Sequence, residues 1–438
     1  MMNYTEAIAY VEEVTKTKKI VLGLDSMREL LGRMGNPQDS LSFIHIAGTN
    51  GKGSTLAFVA SVCGAAGYRV GRYNSPSVFS YCEKIQINGE PIPETEAARI
   101  LTDIRGICLS MEKDGFSHPT AFEIETAMSF QYFKEQGCDL VALETGMGGE
   151  TDATNVVTTT VLSIIASVSM DHMQFLGNTL EEIARVKGGI IKPGRPAVLC
   201  GQSGTVTEVI ADICRERHAP LTISRPGEAR IIQSDMNGTV FDYGPYRRIR
   251  IPLPGNYQVI NAVTALEAVT VLRKLGYEIE ESALYRGMAS VQWPGRFQRV
   301  LEKPLFVIDG AHNPDAARRL RDSINLYFTN KKILFIMGIL ADKDYREIVR
   351  ITAPLADRIY TVTPASPRAL DAGELKKCID EQAERIGFKG ETEVKDTLGE
   401  AVRDSLAWAG GDDVILAFGS LSYLGELSRE IKENIHDR

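Results

Sequence analysis

Ile46-Ala47-Gly48-Thr49-Asn50-Gly51-Lys52-Gly53-Ser54 lies between the apolar run Phe43–Ile46 and the Ala-rich apolar run Thr55–Ala66. This order predicts a strand, a Gly-Lys turn and a helix. The backbone N–H groups of such a turn and the positive end of the following helix face an anion, and Lys52 adds a positive charge. We therefore predict a nucleotide phosphate loop at this turn.

The stretch departs at two positions from the usual nucleotide-binding pattern. That pattern has a Gly five residues before the Gly-Lys pair and a Ser or Thr directly after it. Here Ile46 and Gly53 occupy those positions, and Ser54 follows one step later. An ordinary Gly-rich turn between a strand and a helix is the alternative. The strand–turn–helix context favours the phosphate loop.

Length, composition and charge limit the class of protein. The 438 residues predict two or three domains with an ample core. With 44% hydrophobic and 24% charged residues, the composition is that of a soluble globular protein. The net charge of −8 is spread without a long basic block, which argues against nucleic acid or an anionic membrane as the main partner. A local phosphate site and a metal ion can still bind ATP on such a surface.

The sequence also predicts a cellular compartment. Met1–Glu13 contains charges and lacks the apolar core of a signal peptide, and no apolar run reaches the roughly 18 residues of a membrane span. The seven cysteines are odd in number and scattered, without a Cys-x-x-Cys pair. We therefore expect reduced core cysteines in a cytoplasmic protein.

Strand-like and helical runs alternate along the whole chain, which predicts α/β domains with parallel sheets. Residues 228–252 interrupt this alternation and read as an antiparallel insert with Asn-Gly and Gly-Pro turns. Trp293-Pro294-Gly295 is the best domain boundary, because Pro and Gly end the preceding helix. We expect a P-loop-type parallel-sheet domain, binding ATP and substrate, over 1–293. A smaller doubly wound, Rossmann-like domain should follow over 296–438.

A triphosphate in such a loop needs a cation, usually Mg²⁺ held by a few oxygens near the strand ends. Ligands of open α/β sheets lie beyond the carboxyl ends of the strands. Ser75, Glu144 and His172 each follow a predicted strand. We predict that they lie near the cation. The alternatives are a simple turn at Ser75 and a helix cap at Asp171-His172.

Four further features have roles that cannot be decided from the residues alone. Lys187 precedes a Gly-Gly pair, Arg296 lies at the predicted boundary, and Lys343 lies in a strand-end loop. Lysines are usually solvated, and this is the ordinary interpretation of Lys187, although the Gly-Gly pair would let a backbone come close. Arg296 and Lys343 could equally be solvated. Asp309-Gly310-Ala311-His312-Asn313-Pro314 follows a clear strand and could either face the cleft or cap a helix. Spacing does not tell whether phosphate is transferred to water, a carboxylate or an alcohol.

Taken together, the motifs resemble those of the Mur ligase superfamily and, within it, the folylpolyglutamate synthase/dihydrofolate synthase family. The resemblance covers nearly the whole chain, from Gly23-Leu24 to Phe418-Gly419-Ser420-Leu421. Beside the phosphate loop, the motifs are Gly148-Gly149, Asp152-Ala153-Thr154-Asn155, Asp171-His172 with Leu176-Gly177, Lys187 with Ile190-Ile191-Lys192-Pro193-Gly194, Gln258 with Asn261-Ala262, Pro294-Gly295-Arg296, and Asp309 to Pro314.

The resemblance implies roles for individual residues. The implied ATP contacts are Thr49, Asn50, Gly51, Lys52, Gly53, Ser54, Asn261, Arg296, Asp309 and His312. Ser75, Glu144 and His172 match the family's Mg²⁺ ligands, and Lys187 matches a lysine that the family carries as a carbamate. The implied catalytic residues are Lys52, Lys187, His172 and Arg296. The residues that match segments bordering the pterin-carrying substrate are Leu22, Gly23, Leu24, Phe122, Glu123, Thr151, Asp152 and Ala153.

The resemblance also implies a reaction, in which ATP drives the addition of L-glutamate to a carboxylate. The carboxylate of dihydropteroate or of a reduced folate would form an acyl phosphate, which the amine of glutamate then attacks. ATP and Mg²⁺ are the implied cofactors. We expect a monomer whose partners are small molecules, with neither nucleic acid nor a membrane among them.

Several positions depart from the family's pattern. Ser77 stands where the family often has His, and Lys84 where it often has Arg. Glu150 stands where the family often has Arg, which reverses a charge beside the predicted substrate pocket. Which pterin is preferred therefore stays open. The rival hypotheses are a Mur-type ligase acting on a UDP-linked cell-wall precursor and a non-catalytic ATP sensor.

Overall fold

The computed structural model describes residues 1–18, 23–202 and 204–436. Two groups of elements follow one another along the chain. The first group, called the N-terminal unit below, contains α1 (Tyr4–Thr17), α2 (Asp25–Arg33), β1 (Phe43–Ala47), α3 (Lys52–Ala65), β2 (Val70–Tyr73), β3 (Ile85–Ile87), β4 (Glu90–Pro91), α4 (Glu94–Lys113), α5 (Ala121–Glu135), β5 (Leu140–Glu144), β6 (Thr160–Ile165), α6 (Met173–Leu176), α7 (Leu180–Gly188), β7 (Ala197–Leu199), α8 (Gly204–Glu216), β8 (Leu221–Ile223), β9 (Arg230–Asp235), β10 (Gly238–Tyr243), β11 (Tyr246–Ile251), α9 (Asn256–Lys274) and α10 (Glu281–Ser290).

The second group, called the C-terminal unit, contains β12 (Gln298–Leu301), β13 (Leu305–Ile308), α11 (Pro314–Tyr327), β14 (Ile333–Met337), α12 (Tyr345–Thr352), β15 (Arg358–Thr361), α13 (Ala372–Ile386), β16 (Glu391–Val394), α14 (Leu398–Trp408), β17 (Val414–Phe418) and α15 (Leu424–His436). Both units follow the α/β pattern that the sequence predicts.

An eight-stranded sheet forms the centre of the N-terminal unit, in the order β4-β3-β2-β5-β1-β6-β7-β8. The six strands from β2 to β8 in this order are parallel, whereas β3 and β4 pair antiparallel at one edge. Every residue of β1 and β5 is buried, because helices cover both faces. The predicted parallel sheet is therefore confirmed, with an antiparallel edge added.

The helix that follows the phosphate loop is buried on most of its surface. Residues Gly53 to Val59 of α3 are all buried, and the helix packs against α9, α10, β2 and β5. Small and apolar residues allow this close packing on several sides. The antiparallel insert is confirmed as the sheet β9–β10–β11, whose Phe241 and Ile249 pack into the same core as α9.

The C-terminal unit is a six-stranded sheet in the order β12-β13-β17-β14-β15-β16. All neighbours are parallel except β12, which pairs antiparallel with β13. Separate hydrophobic clusters cover its two faces, as a doubly wound sheet requires. The predicted Rossmann-like architecture is confirmed.

Candidate functional site

A cavity of about 190 Å³ lies where the carboxyl ends of the N-terminal strands meet the C-terminal unit. It brings together residues from widely separated parts of the chain. Its lining includes every residue predicted to contact ATP, to hold the metal or to act in catalysis: Thr49, Asn50, Gly51, Lys52, Gly53, Ser54, Ser75, Glu144, His172, Lys187, Asn261, Arg296, Asp309 and His312.

The phosphate loop lines this cavity and is hydrogen-bonded to a neighbouring segment of the chain. Gly51 occupies the N-cap position of α3 and has a φ of 84°. None of the described side chains caps this end of the helix. The first N–H groups of a helix have no intrahelical partner and are available to an anion. The Thr49 hydroxyl donates to the Ser169 carbonyl (3.0 Å) and accepts from the Ser169 N–H (3.1 Å). The loop is therefore fixed to the segment after β6.

The departure of Gly53 from the usual pattern has a steric reason. A Cβ atom at this position would lie 2.1 Å from the ring of Trp293. The indole therefore packs directly on the first turn of α3, where a Ser or Thr could not be accommodated. Trp293 belongs to the predicted boundary segment, so the phosphate loop and the connection between the two units are in direct contact.

Glu144 ends β5 as a buried carboxylate, with 5% of its surface exposed. Burial raises its pKa to about 7, although Lys52, Arg296 and Arg72 act in the opposite direction. The Lys52 Nζ lies 3.8 Å from Glu144 Oε1, beyond hydrogen-bond distance. A divalent cation at this carboxylate would offset the cost of burying its charge. Ser75 and His172 line the same cavity.

The three residues predicted to hold the metal offer few donor groups. Within the described ranges 1–18, 23–202 and 204–436, no group of three or more His, Cys, Asp or Glu side chains could hold a metal ion. Mg²⁺ usually takes one or two carboxylates, and phosphate oxygens and water complete its octahedral shell. One carboxylate, one hydroxyl and one imidazole beside a phosphate loop therefore fit Mg²⁺ bound together with a nucleotide.

Lys187 is buried, with 3% of its surface exposed, so the alternative of a solvated lysine is wrong. Its Nζ donates to the Gly48 carbonyl at 3.0 Å. Burial and then the nearby charge of Lys52 lower its pKa to about 7. A large fraction of the side chain is therefore a neutral, nucleophilic amine near neutral pH.

The C-terminal unit contributes a structured loop after β13. The Asp309 carboxylate accepts the N–H groups of Phe297 (2.7 Å) and Ala311 (2.8 Å), which joins this loop to the boundary segment. His312 Nδ1 lies 2.8 Å from the Gly310 carbonyl, so Nδ1 carries the proton and Nε2 is an acceptor. Burial lowers the pKa of His312 to about 4, which keeps the ring neutral at pH 7.

An ion pair that the sequence did not indicate joins the two units across the cleft. Lys343 Nζ lies 2.9 Å from Asp171 Oδ1, and only 8% and 10% of the two side chains are exposed. Asn313 Nδ2 donates to Asp171 Oδ2 at 3.1 Å. Asn50 of the phosphate loop donates to Asp315 at 2.7 Å. The alternative of a solvated Lys343 is therefore wrong.

We expect Asp171→Asn to destabilise the protein. Removing one partner of a buried pair costs roughly 3 kcal/mol, and each kcal/mol lowers Tm by about 2 °C in units of this size. Burial alone would raise the pKa of Asp171, but the nearby Lys343 ammonium holds this pKa well below its usual range. The pair therefore stabilises the fold above the unfolded pKa of about 3.9, and this contribution is lost as pH falls toward the lower native pKa.

Thermal unfolding at a series of pH values tests this expectation. The Tm difference between wild type and Asp171→Asn should be about 6 °C at pH 7, and it should shrink below pH 4. Asp322→Asn is the control, because Asp322 pairs with Arg321 on the surface. A difference that is no larger than that of the control would contradict a buried pair across the cleft.

The described residues among those predicted to border the substrate lie outside the cavity lining. Leu22 lies outside the described residues, and Gly23, Leu24, Thr151 and Ala153 are not among the lining residues. The Glu123 carboxylate accepts from the N–H and hydroxyl of Thr120 at the start of α5, and Asp152 accepts from the Met147 N–H and from Thr154. These two carboxylates therefore stabilise local structure.

Phe122 packs directly behind the cavity lining. A Cβ added at Gly146, which lines the cavity, would lie 2.6 Å from the Phe122 ring. The Glu150 side chain is exposed, and its N–H donates to the Val186 carbonyl at 2.9 Å. The reversed charge at this position therefore faces solvent beside α7.

Sequence reasoning missed several residues that line the cavity. Tyr257 and Arg319 contribute from α9 and α11, and Trp293 contributes its ring. Arg319 Nη2 also donates to the Ser167 hydroxyl at 2.7 Å, across the cleft. The only signal for Tyr257 was its place beside Gln258, where the family often has His. No local pattern distinguishes Arg319 from a solvated helical arginine.

Two structural findings bear on the predicted compartment. All seven cysteines are free and buried. Every helix in the described part of the chain falls short of the length and apolarity that a membrane crossing requires.

Sequence comparisons relate both units of the chain to known proteins. The family model described as "Mur ligase middle domain" matches residues 46–269, and "Mur ligase, glutamate ligase domain" matches residues 295–421. A dihydrofolate synthase/folylpolyglutamate synthase of Bacillus subtilis is 34% identical over 94% of this chain and 95% of its own length. The corresponding protein of Escherichia coli is 32% identical over 94% and 92%.

Solved structures show the same similarity. The Mycobacterium tuberculosis folylpolyglutamate synthase complexed with ADP superposes with a TM-score of 0.88 at 30% identity, over 98% of this chain and 99% of that chain. The Escherichia coli protein in complex with DHPP and ADP superposes with a TM-score of 0.85 at 30% identity, over 99% of each chain. Both of these structures contain the nucleotide ADP.

Proposed function

The chain belongs to the folylpolyglutamate synthase/dihydrofolate synthase family, the ADP-forming glutamate ligases of folate metabolism, and on that premise we propose that it joins L-glutamate to dihydropteroate, to a reduced folate, or to both. The observation that carries the proposal is one cavity in which a phosphate loop, the buried Glu144, the buried Lys187 and Arg296 meet. A ligase that activates a carboxylate with ATP needs these groups around one point.

The proposed reaction has two steps. A carboxylate oxygen of the pterin substrate attacks the γ-phosphorus of ATP, and ADP leaves with the electrons of the broken P–O bond. The neutral amine of L-glutamate then attacks the carbon of the acyl phosphate, inorganic phosphate leaves, and the nitrogen loses a proton. Phosphorylation is needed because a carboxylate by itself has no good leaving group.

We assign the nucleotide contacts to both units. Thr49 to Ser54 would bind phosphate oxygens through backbone N–H groups, and the Lys52 ammonium would stabilise the charge that develops on the transferred group. Arg296 would act on the same charge from the boundary segment. Asn261, Asp309 and His312 would contact the nucleotide from α9 and from the loop after β13.

We assign Ser75, Glu144 and His172 to Mg²⁺. The ion would supply Lewis-acid stabilisation of the phosphate oxygens. Glu144 is the anionic donor of this set, and its burial gives it a strong preference for a cation over water. The Ser75 hydroxyl and a neutral His172 imidazole would complete the donors from the protein.

We propose that Lys187 is carbamylated. Its neutral amine would attack CO₂, forming an N–C bond and releasing a proton, and the side chain would change from a cation to an anion. The buried position next to the carbonyl of Gly48 and the lowered pKa support this assignment. An anion here would face Lys52 and add negative charge at the edge of the metal site.

We further propose that residues 1–293 and 296–438 are two domains that close on the substrates. The contacts from Asp171 and Asn50 to the C-terminal unit support a closed arrangement that keeps water from the acyl phosphate. The segments at 22–24, 122–123 and 151–153 would border the pterin. The protein would act as a monomer in the cytoplasm, where cysteines stay reduced.

The test is amino-acid-dependent phosphate release by the purified protein with ATP and Mg²⁺. Dihydropteroate, tetrahydrofolate and a UDP-muramoyl precursor are offered in parallel, each with and without L-glutamate. Release that needs both a pterin and glutamate supports the proposal, and the preferred pterin identifies the dominant substrate. Release with only the UDP precursor, or bound ATP without any release, would overturn it.

A further inference from the structure

A side pocket opens from the nucleotide cavity and shares Ser75, Glu144 and Arg296 with it. Its walls come from β2, from the segment after β2, from β3 and from the boundary segment. Arg72, Asn74 and Gln86 line this pocket and not the nucleotide cavity, whereas Trp293 lines both. None of the roles assigned above uses Arg72, Asn74 or Gln86.

Arg72 is a largely buried cation with free hydrogen-bonding capacity. Its guanidinium lies over the Trp293 ring, 5.1 Å from the ring centroid. Its Nη2 donates to Gln86 Oε1, whereas its Nε is buried and has no hydrogen-bond partner among the described residues. Burial lowers its pKa to about 10, so the group stays positively charged at pH 7. A buried donor without a partner costs stability unless a ligand supplies the acceptor.

Asn74 adds a second group of this kind. Only 6% of its surface is exposed, and its Oδ1 has no hydrogen-bond partner in the described structure. Its backbone N–H donates to the Lys84 carbonyl at 3.0 Å, which holds the residue in place. The pocket therefore presents an unpaired donor and an unpaired acceptor close to the proposed reaction centre.

Neither acidic residue that lines the pocket hydrogen-bonds to the Arg72 guanidinium in the described structure. Glu83 lines the pocket, but its carboxylate accepts the backbone N–H groups of Val78, Phe79 and Ser80. Glu144 is assigned above to the metal. The guanidinium thus lies over an indole and its Nε–H has no hydrogen-bond partner among the described residues. A guanidinium fork of this kind is suited to a planar carboxylate.

We propose that this side pocket binds a non-reacting carboxylate of a glutamyl substrate. The inference rests on the proposed function and refines it. A carboxylate would accept from Arg72, while Asn74 Oδ1 would accept from a nitrogen of the same molecule. Two molecules carry this chemistry: the incoming L-glutamate, and a glutamyl tail on the acceptor.

Trp293 permits a direct binding test that needs no turnover. The chain has two tryptophans, so Trp408→Phe leaves Trp293 as the only indole. In this background, fluorescence is titrated with L-glutamate and with γ-glutamylglutamate, both in the presence of ADP and Mg²⁺. We expect a saturable change with at least one probe. Arg72→Leu should weaken that binding by about tenfold to a hundredfold, the value of a charged hydrogen bond.

Two variants control this experiment. Arg69→Leu removes an exposed arginine from the segment just before β2 and should leave the affinity unchanged. Arg72→Lys keeps the charge without the planar fork and should bind with intermediate affinity, which also covers the case in which Arg72→Leu does not fold. If neither probe gives a saturable change, or if Arg72→Lys binds as wild type does, the proposal is wrong.

Steady-state kinetics then distinguish the two sources of the carboxylate. Dihydropteroate carries no glutamyl tail. If the pocket holds incoming glutamate, Arg72→Leu raises the KM for glutamate about tenfold or more with dihydropteroate as acceptor. If it holds the tail, only the KM for a glutamylated acceptor rises. Unchanged KM values for both substrates would overturn the side pocket, whereas turnover by the wild type would still support the ligase.

Discussion

Lys52→Ala abolishes amino-acid-dependent ATP turnover and leaves the fold intact; this is the largest effect that we expect. Lys52 is the first residue of α3, and its Nζ faces Glu144 within the cavity. Removing it takes away the cation nearest the transferred phosphate while the anionic Glu144 stays. Loss of one preorganised charge stabiliser commonly lowers kcat by about 10²- to 10³-fold, and the loss of a full charge should reach at least that value.

Phosphate release, with and without glutamate, measures this effect. Lys274→Ala is the matched control, since Lys274 is exposed at the end of α9. Thermal unfolding of both variants should resemble that of the wild type, because among the described residues the Lys52 ammonium makes a single long hydrogen bond, 3.5 Å to the Thr49 carbonyl, besides its approach to Glu144. Undiminished turnover by a folded Lys52→Ala protein would rule out the phosphate-loop assignment.

Lys187→Ala is expected to be inactive, and added short carboxylates should partly restore its activity. The side chain is buried, reaches the Gly48 carbonyl and is proposed to carry an anionic carbamate. Alanine leaves a space in which acetate or propionate can supply the missing carboxylate. Such rescue would be weak, because a free ion loses translational freedom on binding that a covalent group does not.

The rescue experiment has two controls. Sodium chloride at the same ionic strength should not restore activity to Lys187→Ala, and the carboxylates should not restore it to Lys52→Ala. Labelled bicarbonate followed by ¹³C NMR should show a carbamate signal in the wild type that is absent from Lys187→Ala. Full activity of Lys187→Ala without added carboxylate would remove Lys187 from the site.

The predicted elements that agreed best with the structure depend on local patterns. Residues 94–113 and 121–135 carry apolar side chains at the helical period, and residues 305–308 form a short apolar run. The structure has α4, α5 and β13 with the same bounds. Apolar residues at the helical period, or in a short continuous run, are sufficient to predict such elements. By contrast, β3 and β4 are strands of only three and two residues at a sheet edge, too short to show a period.

The residues of the candidate site also differ in whether a local pattern could predict them. Ser75, Glu144, His172 and Asp309 could be placed at strand ends because parallel strands bring their carboxyl ends to one edge. Lys187 and Lys343 could not be distinguished from solvated lysines, since the sequence does not show which long side chains become buried. Arg72 gave no signal either, because its partners Gln86 and Trp293 reach it only in the folded chain.

The sequence by itself determined the alternation of strands and helices, the phosphate loop at Gly51-Lys52 and the resemblance that led to a glutamate ligase, because these depend on residues close together in the chain. The tertiary structure alone decided which charges are buried and paired. Asp171 and Lys343 are 172 residues apart yet 2.9 Å apart in space. Burial and pairing depend on contacts between distant segments, and these contacts set the charge states on which the proposed chemistry depends.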